Sequence, residues 1–177
     1  KTRCIPFFLS IKTIQDDMKR PFFIMTQPRY SIIKTKIDDF KSIFDDSIRI
    51  VTNIKKMMSF YKRYDRKDVN FHPKFSKPIF GLFTAQSLLE LIKMTEKDEI
   101  DIFSMTRFCL DEIHERTVET DVLCATLSRK SKELLDKKKN FPLQMLLMSA
   151  TPDSRVFNCF ENMVQFKLPE STLFPVE

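Results

Sequence analysis

The sequence predicts an α/β domain built on a mainly parallel sheet with helices on both faces. Three observations carry this reading. Short apolar runs alternate with longer amphipathic stretches, as strands alternate with crossover helices in a parallel sheet. Apolar residues make up 42% of the 177, and 18 of them are Phe, enough for one sizeable core in a chain too short for two comfortable ones. No internal repeat and no Gly/Ser linker divides the chain, so one domain over residues 1–177 is expected. The same composition excludes low-complexity disorder. No apolar run approaches the ~20 residues of a membrane span, so no membrane partner is expected.

The elements follow in order. Phe22-Phe23-Ile24-Met25 is a compact strand-type run that stops at Thr26-Gln27-Pro28. Ile33, Ile37, Phe40 and Phe44 recur at spacings of three and four, the period of a helix face. Ser47–Val51 reads as a short strand, Ile79–Thr84 as another, and Ala85–Lys93 as a short helix through Leu88, Leu89 and Ile92. Met105–Leu110 reads as a strand leading straight into Asp111-Glu112-Ile113-His114. From Glu119 a helix carries Val122, Leu123 and Leu127 on one face and runs into the charged Lys130–Lys139 end. Leu143–Met148 predicts a buried strand ending at Ser149-Ala150-Thr151. Thr151-Pro152-Asp153 has the hydroxyl cap and early Pro of a helix start, and Met163–Leu168 predicts a last strand.

Charge is uneven. The chain has 30 Lys and Arg against 24 Asp and Glu, a net +6. Between Thr52 and Pro78 stand eight basic residues and two acids, an excess as large as that of the whole chain. Phe60, Tyr61, Tyr64, Phe71 and Phe75 are interleaved with these cations. Two readings are open for residues 52–78: a solvated, basic connecting segment, or a strand-binding surface where cations neutralise phosphates and rings stack on bases. His72 lies in this segment and reads as solvated. Cys4, Cys109, Cys124 and Cys159 are far apart with no ligand spacing, which predicts reduced thiols, an intracellular protein and no structural zinc; the cytoplasm is the favoured compartment and the nucleus the alternative. Gly81 is the single glycine, and the chain opens on Lys1. Both features lead us to expect a piece of a longer protein, in which turns are made mostly without glycine or the glycine-rich part is missing from this chain.

In a parallel α/β sheet, ligands bind beyond the carboxyl ends of the strands. Three predicted strands end in polar clusters: Thr26-Gln27-Pro28-Arg29, Asp111-Glu112-Ile113-His114 and Ser149-Ala150-Thr151. Right-handed crossovers bring such ends to one sheet edge, so the three clusters are expected to line one crevice. Paired acids directly after a buried strand suit metal-assisted phosphoryl transfer, one carboxylate holding Mg²⁺ while its neighbour orients or deprotonates water. Taken singly, each cluster also has a plainer reading as a helix cap or a turn.

Together they resemble a known family. Asp111-Glu112-Ile113-His114-Glu115-Arg116-Thr117, with Asp121 following, is similar to motif II of the DExH/DEAH-box RNA helicases. Ser149-Ala150-Thr151 matches their motif III and Thr26-Gln27-Pro28-Arg29 their motif Ia, while Thr84 with Leu88-Leu89 resembles motif Ib. Ser171–Glu177 resembles the run that leaves the family's first RecA-like domain. Lys1-Thr2, followed by Ile5-Pro6 and Phe8-Leu9, resembles the end of Walker A and its helix. The resemblance implies a RecA-like P-loop fold, ATP (or another NTP) with Mg²⁺, and RNA as partner beside a second RecA-like domain. By position it implies that Lys1 reaches the nucleotide phosphates and that Thr2 and Asp111 serve Mg²⁺. Glu112 would activate water, and His114 would link the nucleotide site to the second domain. Ser149 and Thr151 would couple hydrolysis to strand binding through hydrogen bonds back to motif II. Arg29 and Thr84 would contact the phosphate backbone. Arg116 and Asp121 have an equally good reading as an ion pair that braces the motif II loop.

Departures from the pattern set up a rival. The glycines before the Walker Lys are absent, Gln86 stands where motif Ib usually has Gly, and Tyr30 replaces the second Arg of TQPRR. With the basic 52–78 stretch these resemble the divergent, poxvirus-like viral branch. The leading expectation is the first motor domain of an NTP-dependent RNA helicase, inactive as an isolated chain. The alternative is a non-enzymatic nucleic-acid-binding or scaffold relative that kept the fold.

Overall fold

Residues 20–44, 47–65, 77–136, 143–151, 154–160 and 163–165 are described by the computed structural model. Among them, the apolar runs become strands and the amphipathic stretches become helices. Strand β1 (Phe22–Thr26) is followed by α1 (Tyr30–Phe44), β2 (Arg49–Val51), α2 (Ile54–Asp65) and β3 (Ile79–Phe83). Then come α3 (Ala85–Lys97), a single turn α4 (Ile102–Met105), β4 (Thr106–Leu110), a 3₁₀ turn (Ile113–Glu115) and α5 (Val118–Asp136). Strand β5 (Gln144–Leu147) and the short α6 (Ser154–Phe157) complete the described chain.

The five strands form one sheet in the order β2-β3-β1-β4-β5, and every pairing is parallel. This is the RecA-like α/β arrangement. Strands β1, β3 and β4 are buried at all five of their positions, and β1 and β3 accordingly read as nearly continuous apolar runs, while β4 also buries Thr106 and Arg107. Their side chains divide between two cores. Phe22, Ile24, Ile79, Phe83, Phe108 and Leu110 pack with residues of α2, α3, α4 and α5. Phe23, Met25, Phe80, Leu82 and Cys109 face the other way, against Ile33, Phe40 and Phe44 of α1. Helices therefore cover both faces, as expected.

Several elements differ from the sequence expectation. Helix α3 runs four residues beyond Lys93, because Leu91 and Thr95 continue its buried face. The first half of the basic segment is a helix. Asn53 caps it, accepting the Lys56 N–H at 3.0 Å, and α2 buries Met57, Met58, Phe60 and Tyr61. Those two rings are interior and cannot stack on bases, while Lys55, Lys56 and Arg63 point outward. Phe71, His72 and Phe75 lie outside the described residues. Val122 was expected on the buried face of α5 but is 49% exposed; Leu123, Cys124 and Leu127 form that face. Strand β5 is only half-buried, because it has a hydrogen-bonded neighbour on one side among the described residues. Residues 163–165 are irregular, and the rest of the expected Met163–Leu168 strand lies outside the described residues. No helix among the described residues is long and apolar enough to cross a membrane.

Candidate functional site at the carboxyl edge of the sheet

Register brings the motif residues together. Thr26 pairs with Leu110 across the β1–β4 ladder, so the next residues, Gln27 and Asp111, emerge side by side at the strand ends. The Gln27 side-chain amide donates to Asp111 Oδ2 at 2.8 Å, a buried hydrogen bond spanning 84 positions in sequence. Asp111 Oδ1 accepts the Glu112 N–H at 3.0 Å. Asp111 is 8% exposed and Gln27 2%, so water offers neither of them a ready substitute. On the other side, the Gln27 backbone N–H donates to Phe83 O at 2.8 Å, stitching the end of β1 to the end of β3.

The third cluster joins through β5. Met148 N–H donates to Leu110 O at 2.8 Å and Ile113 N–H donates to Met148 O at 3.1 Å. The Ala150 N–H donates to His114 Nδ1 at 3.3 Å. His114 Nδ1 also lies 3.3 Å from Glu112 Oε2, with both side chains partly exposed. A nitrogen that accepts from Ala150 carries no proton, so the Ala150 bond and a Glu112 hydrogen bond at the same atom exclude each other. Among the described residues, the contact seen between the Ser149–Thr151 segment and motif II is a backbone one. The Ser149 hydroxyl donates to the Thr151 carbonyl, and the link to motif II runs through the Ala150 backbone.

Backbone geometry presents the acid. Glu112 sits in the left-handed region at φ 53° and ψ 39°, as does Arg116 at φ 48° and ψ 44°. These bracket the 3₁₀ turn, so the chain reverses sharply after β4 and leaves the Glu112 side chain 40% exposed at the strand end. Non-glycine residues in this conformation cost about 1–2 kcal/mol each, so the surrounding contacts must hold them there. Arg116 is held by a bidentate pair with Asp121, Nε to Oδ1 at 2.8 Å and Nη2 to Oδ2 at 3.0 Å. The bracing ion pair expected for these two residues is present.

Arg29 is exposed immediately before α1, and its carbonyl accepts the N–H groups of Ile32 and Ile33. Thr84 caps α3: its hydroxyl oxygen accepts the Ser87 N–H at 3.2 Å. Lys1 and Thr2 lie outside the described residues. Among the described residues no three His, Cys, Asp or Glu side chains group closely enough to cage a metal. A site offering one buried carboxylate, Asp111, suits instead a hard cation that takes most of its oxygens from water and phosphate, as Mg²⁺ does. A cleft of about 260 Å³ lies elsewhere, lined by Glu96, Glu99, Asp101, Lys130 and Glu133, and none of the motif residues borders it. Gln27 is the residue to which the sequence reading gave no role. Its signal was its place in the polar cluster that follows a buried strand, and only the β1–β4 register shows which carboxylate it meets.

The fold is a RecA-like arrangement, and its strand-end clusters resemble helicase motifs Ia, II and III. No protein-family model matches the chain. The human protein named probable ATP-dependent RNA helicase DHX37 is 40% identical over 95 residues, which are 49% of this chain and 8% of that protein. The Drosophila melanogaster protein named probable ATP-dependent RNA helicase kurz is 39% identical over 92 residues, 49% of this chain and 7% of that protein. The chain thus matches less than a tenth of the length of either relative. These similarities support the resemblance to DExH/DEAH-box RNA helicases that the motifs carry.

Proposed function

We propose that the chain is the ATP-binding first motor domain of a DExH-box RNA helicase, coupling ATP hydrolysis to movement along RNA and to duplex unwinding. One observation carries the reading: three polar clusters far apart in sequence are joined by hydrogen bonds at one carboxyl edge of a parallel sheet. The relatives' names, which specify ATP and RNA, support the choice of nucleotide and strand.

In this reading Asp111 holds the Mg²⁺ and Glu112 takes the proton of the attacking water. Lys1 and Thr2 belong to the phosphate and Mg²⁺ end of the same site. When bound, Mg-ATP supplies the phosphoryl group and the charge that neutralises its oxygens. His114 joins motif II to the Ser149–Thr151 segment through Ala150 and faces a second RecA-like domain. Arg29 and Thr84 touch phosphates, which sets grip without sequence readout. A reducing, cytoplasmic setting belongs to the same proposal.

The test is RNA-stimulated ATP hydrolysis by the full-length protein, wild type beside Glu112→Gln. Removing a general base should lower turnover by about 10²-fold or more while ATP binding persists. Turnover retained in Glu112→Gln would sink the assignment of the base. A wild type that binds RNA in a salt-sensitive way without any turnover would favour the scaffold alternative.

A further inference from the structure

We propose that Gln27 is a positioning residue: its side-chain amide fixes the Asp111 carboxylate for a divalent cation and ties that carboxylate to the loop carrying Arg29. The inference rests on the reading of Asp111 given above. A carboxylate is oriented best when each of its oxygens has a fixed donor. Asp111 Oδ1 has that local bond, to the N–H of Glu112. The second anchor comes from another strand, where Gln27 Nε2 reaches Oδ2 at 2.8 Å. The anchor is itself buried and tethered, since Gln27 is 2% exposed and its backbone N–H donates to Phe83 O.

The chemistry of the donor matters. An amide orients the carboxylate while leaving its full negative charge available. A Lys or Arg at this position would compete with the cation, and a Glu would repel Asp111. Placement matters too. Only Pro28 separates Gln27 from the exposed Arg29, and Phe83, which receives the Gln27 N–H, directly precedes Thr84. Gln27 therefore touches both halves of the proposed site, the cation-binding carboxylate and the loops assigned to the nucleic-acid backbone. Anything that shifts the 26–29 loop moves the amide against Asp111, and by linkage a cation on Asp111 biases that loop in return.

The test compares Gln27→Met, similar in size without the amide, and Gln27→Asn, which keeps the amide one methylene too short. Mn²⁺ binding to the full-length protein is measured by electron paramagnetic resonance with a non-hydrolysable ATP analogue present. Thermal unfolding is recorded alongside, and Gln27→Asn serves if Gln27→Met does not fold. Loss of a partner that orients a metal ligand should weaken Mn²⁺ on the order of 10–100-fold. Metal-free affinity for the analogue should be unchanged, a split that a merely structural loss would not produce. Folded variants with wild-type Mn²⁺ affinity would overturn the inference alone. A wild type that binds neither analogue nor Mn²⁺ would overturn the helicase reading and this inference with it.

Discussion

Gly81 lies in the middle of β3, beneath the ring of Phe83. A Cβ there would stand 2.5 Å from Phe83 Cε2 and 3.1 Å from Ile24 Cγ1, both in buried side chains. The single glycine is thus spent on close packing and not on a turn. The opposite case is Glu99, which ends α3 in the left-handed conformation at φ 58°. Ile100 N–H donates to Thr95 O at 2.9 Å and Glu99 N–H to Glu96 O at 3.2 Å, the bond pair of a Schellman cap, with an exposed Glu where glycine is usual. The two positions predict opposite signs. Gly81→Ala should destabilise by about 1–3 kcal/mol through overpacking. Glu99→Gly should stabilise by about 0.5–1 kcal/mol, the relief of strain exceeding the entropy glycine adds to the unfolded chain. Urea unfolding of both variants checks the pair, and equal signs would refute the argument. The glycine count left two readings, turns made mostly without glycine or a glycine-rich part missing from this chain. It could not say that the one glycine serves packing, because that depends on which ring lies across the strand.

At the scale of elements, α2 shows what charge counting hides. Met57, Tyr61 and Tyr64 recur at spacings of four and three behind the Asn53 cap, a helix signature in plain view. The run of Lys and Arg suggests a solvated segment, yet Lys55, Lys56 and Arg63 occupy the outward face of the same helix. Lys62 even pairs with Asp98 at the end of α3, at 2.8 Å. Tyr61 anchors the helix to the sheet. Its ring lies 4.3 Å from that of Phe22, and its hydroxyl shares a hydrogen bond with Thr106 Oγ1 at 2.8 Å. Burial raises the phenol well above its ordinary value, outweighing the opposite effect of the Thr106 bond, so Tyr61 stays neutral. Tyr61→Phe keeps the packing and removes only the oxygen, leaving the fully buried Thr106 hydroxyl without it. A loss of about 1–3 kcal/mol is expected. The urea midpoint should fall with no change in slope, since the surface exposed on unfolding is the same. A variant as stable as the wild type would mean that α2 docks by apolar packing alone. Strands β1 and β3 were legible for the converse reason: burial on both faces leaves an almost unbroken apolar run, FFIM in β1 and IFGLF in β3.

For the whole molecule, the sheet direction and the edge where the motifs gather followed from alternation and crossover handedness before any strand order was known. The partners within that edge did not, because hydrogen bonds such as Gln27–Asp111 depend on β1 lying beside β4, which local pattern does not encode. The two cores predict how the molecule as a whole admits a reagent. Cys109 sits in β4 against the α1 core and is fully buried; burial first, and then the nearby Asp111 carboxylate, raise its thiol far above the ordinary range. Cys124 lies on the buried face of α5 in the other core and is pushed up to about 11, first by burial, then by Asp121 and Cys159, with Arg116 opposing. Cys159 is exposed, its thiol donating to Arg155 O at 3.2 Å. Only a thiolate alkylates, so raised values and burial act in the same direction. At pH 8, iodoacetamide followed by peptide mapping should modify Cys159 quickly, and Cys109 and Cys124 only as fast as the cores open. Adding urea below the midpoint should accelerate the two buried thiols together if both cores unfold as one cooperative unit. Labelling of Cys109 well ahead of Cys124 would instead show that the α1 side of the sheet opens on its own, and with it the support beneath Asp111.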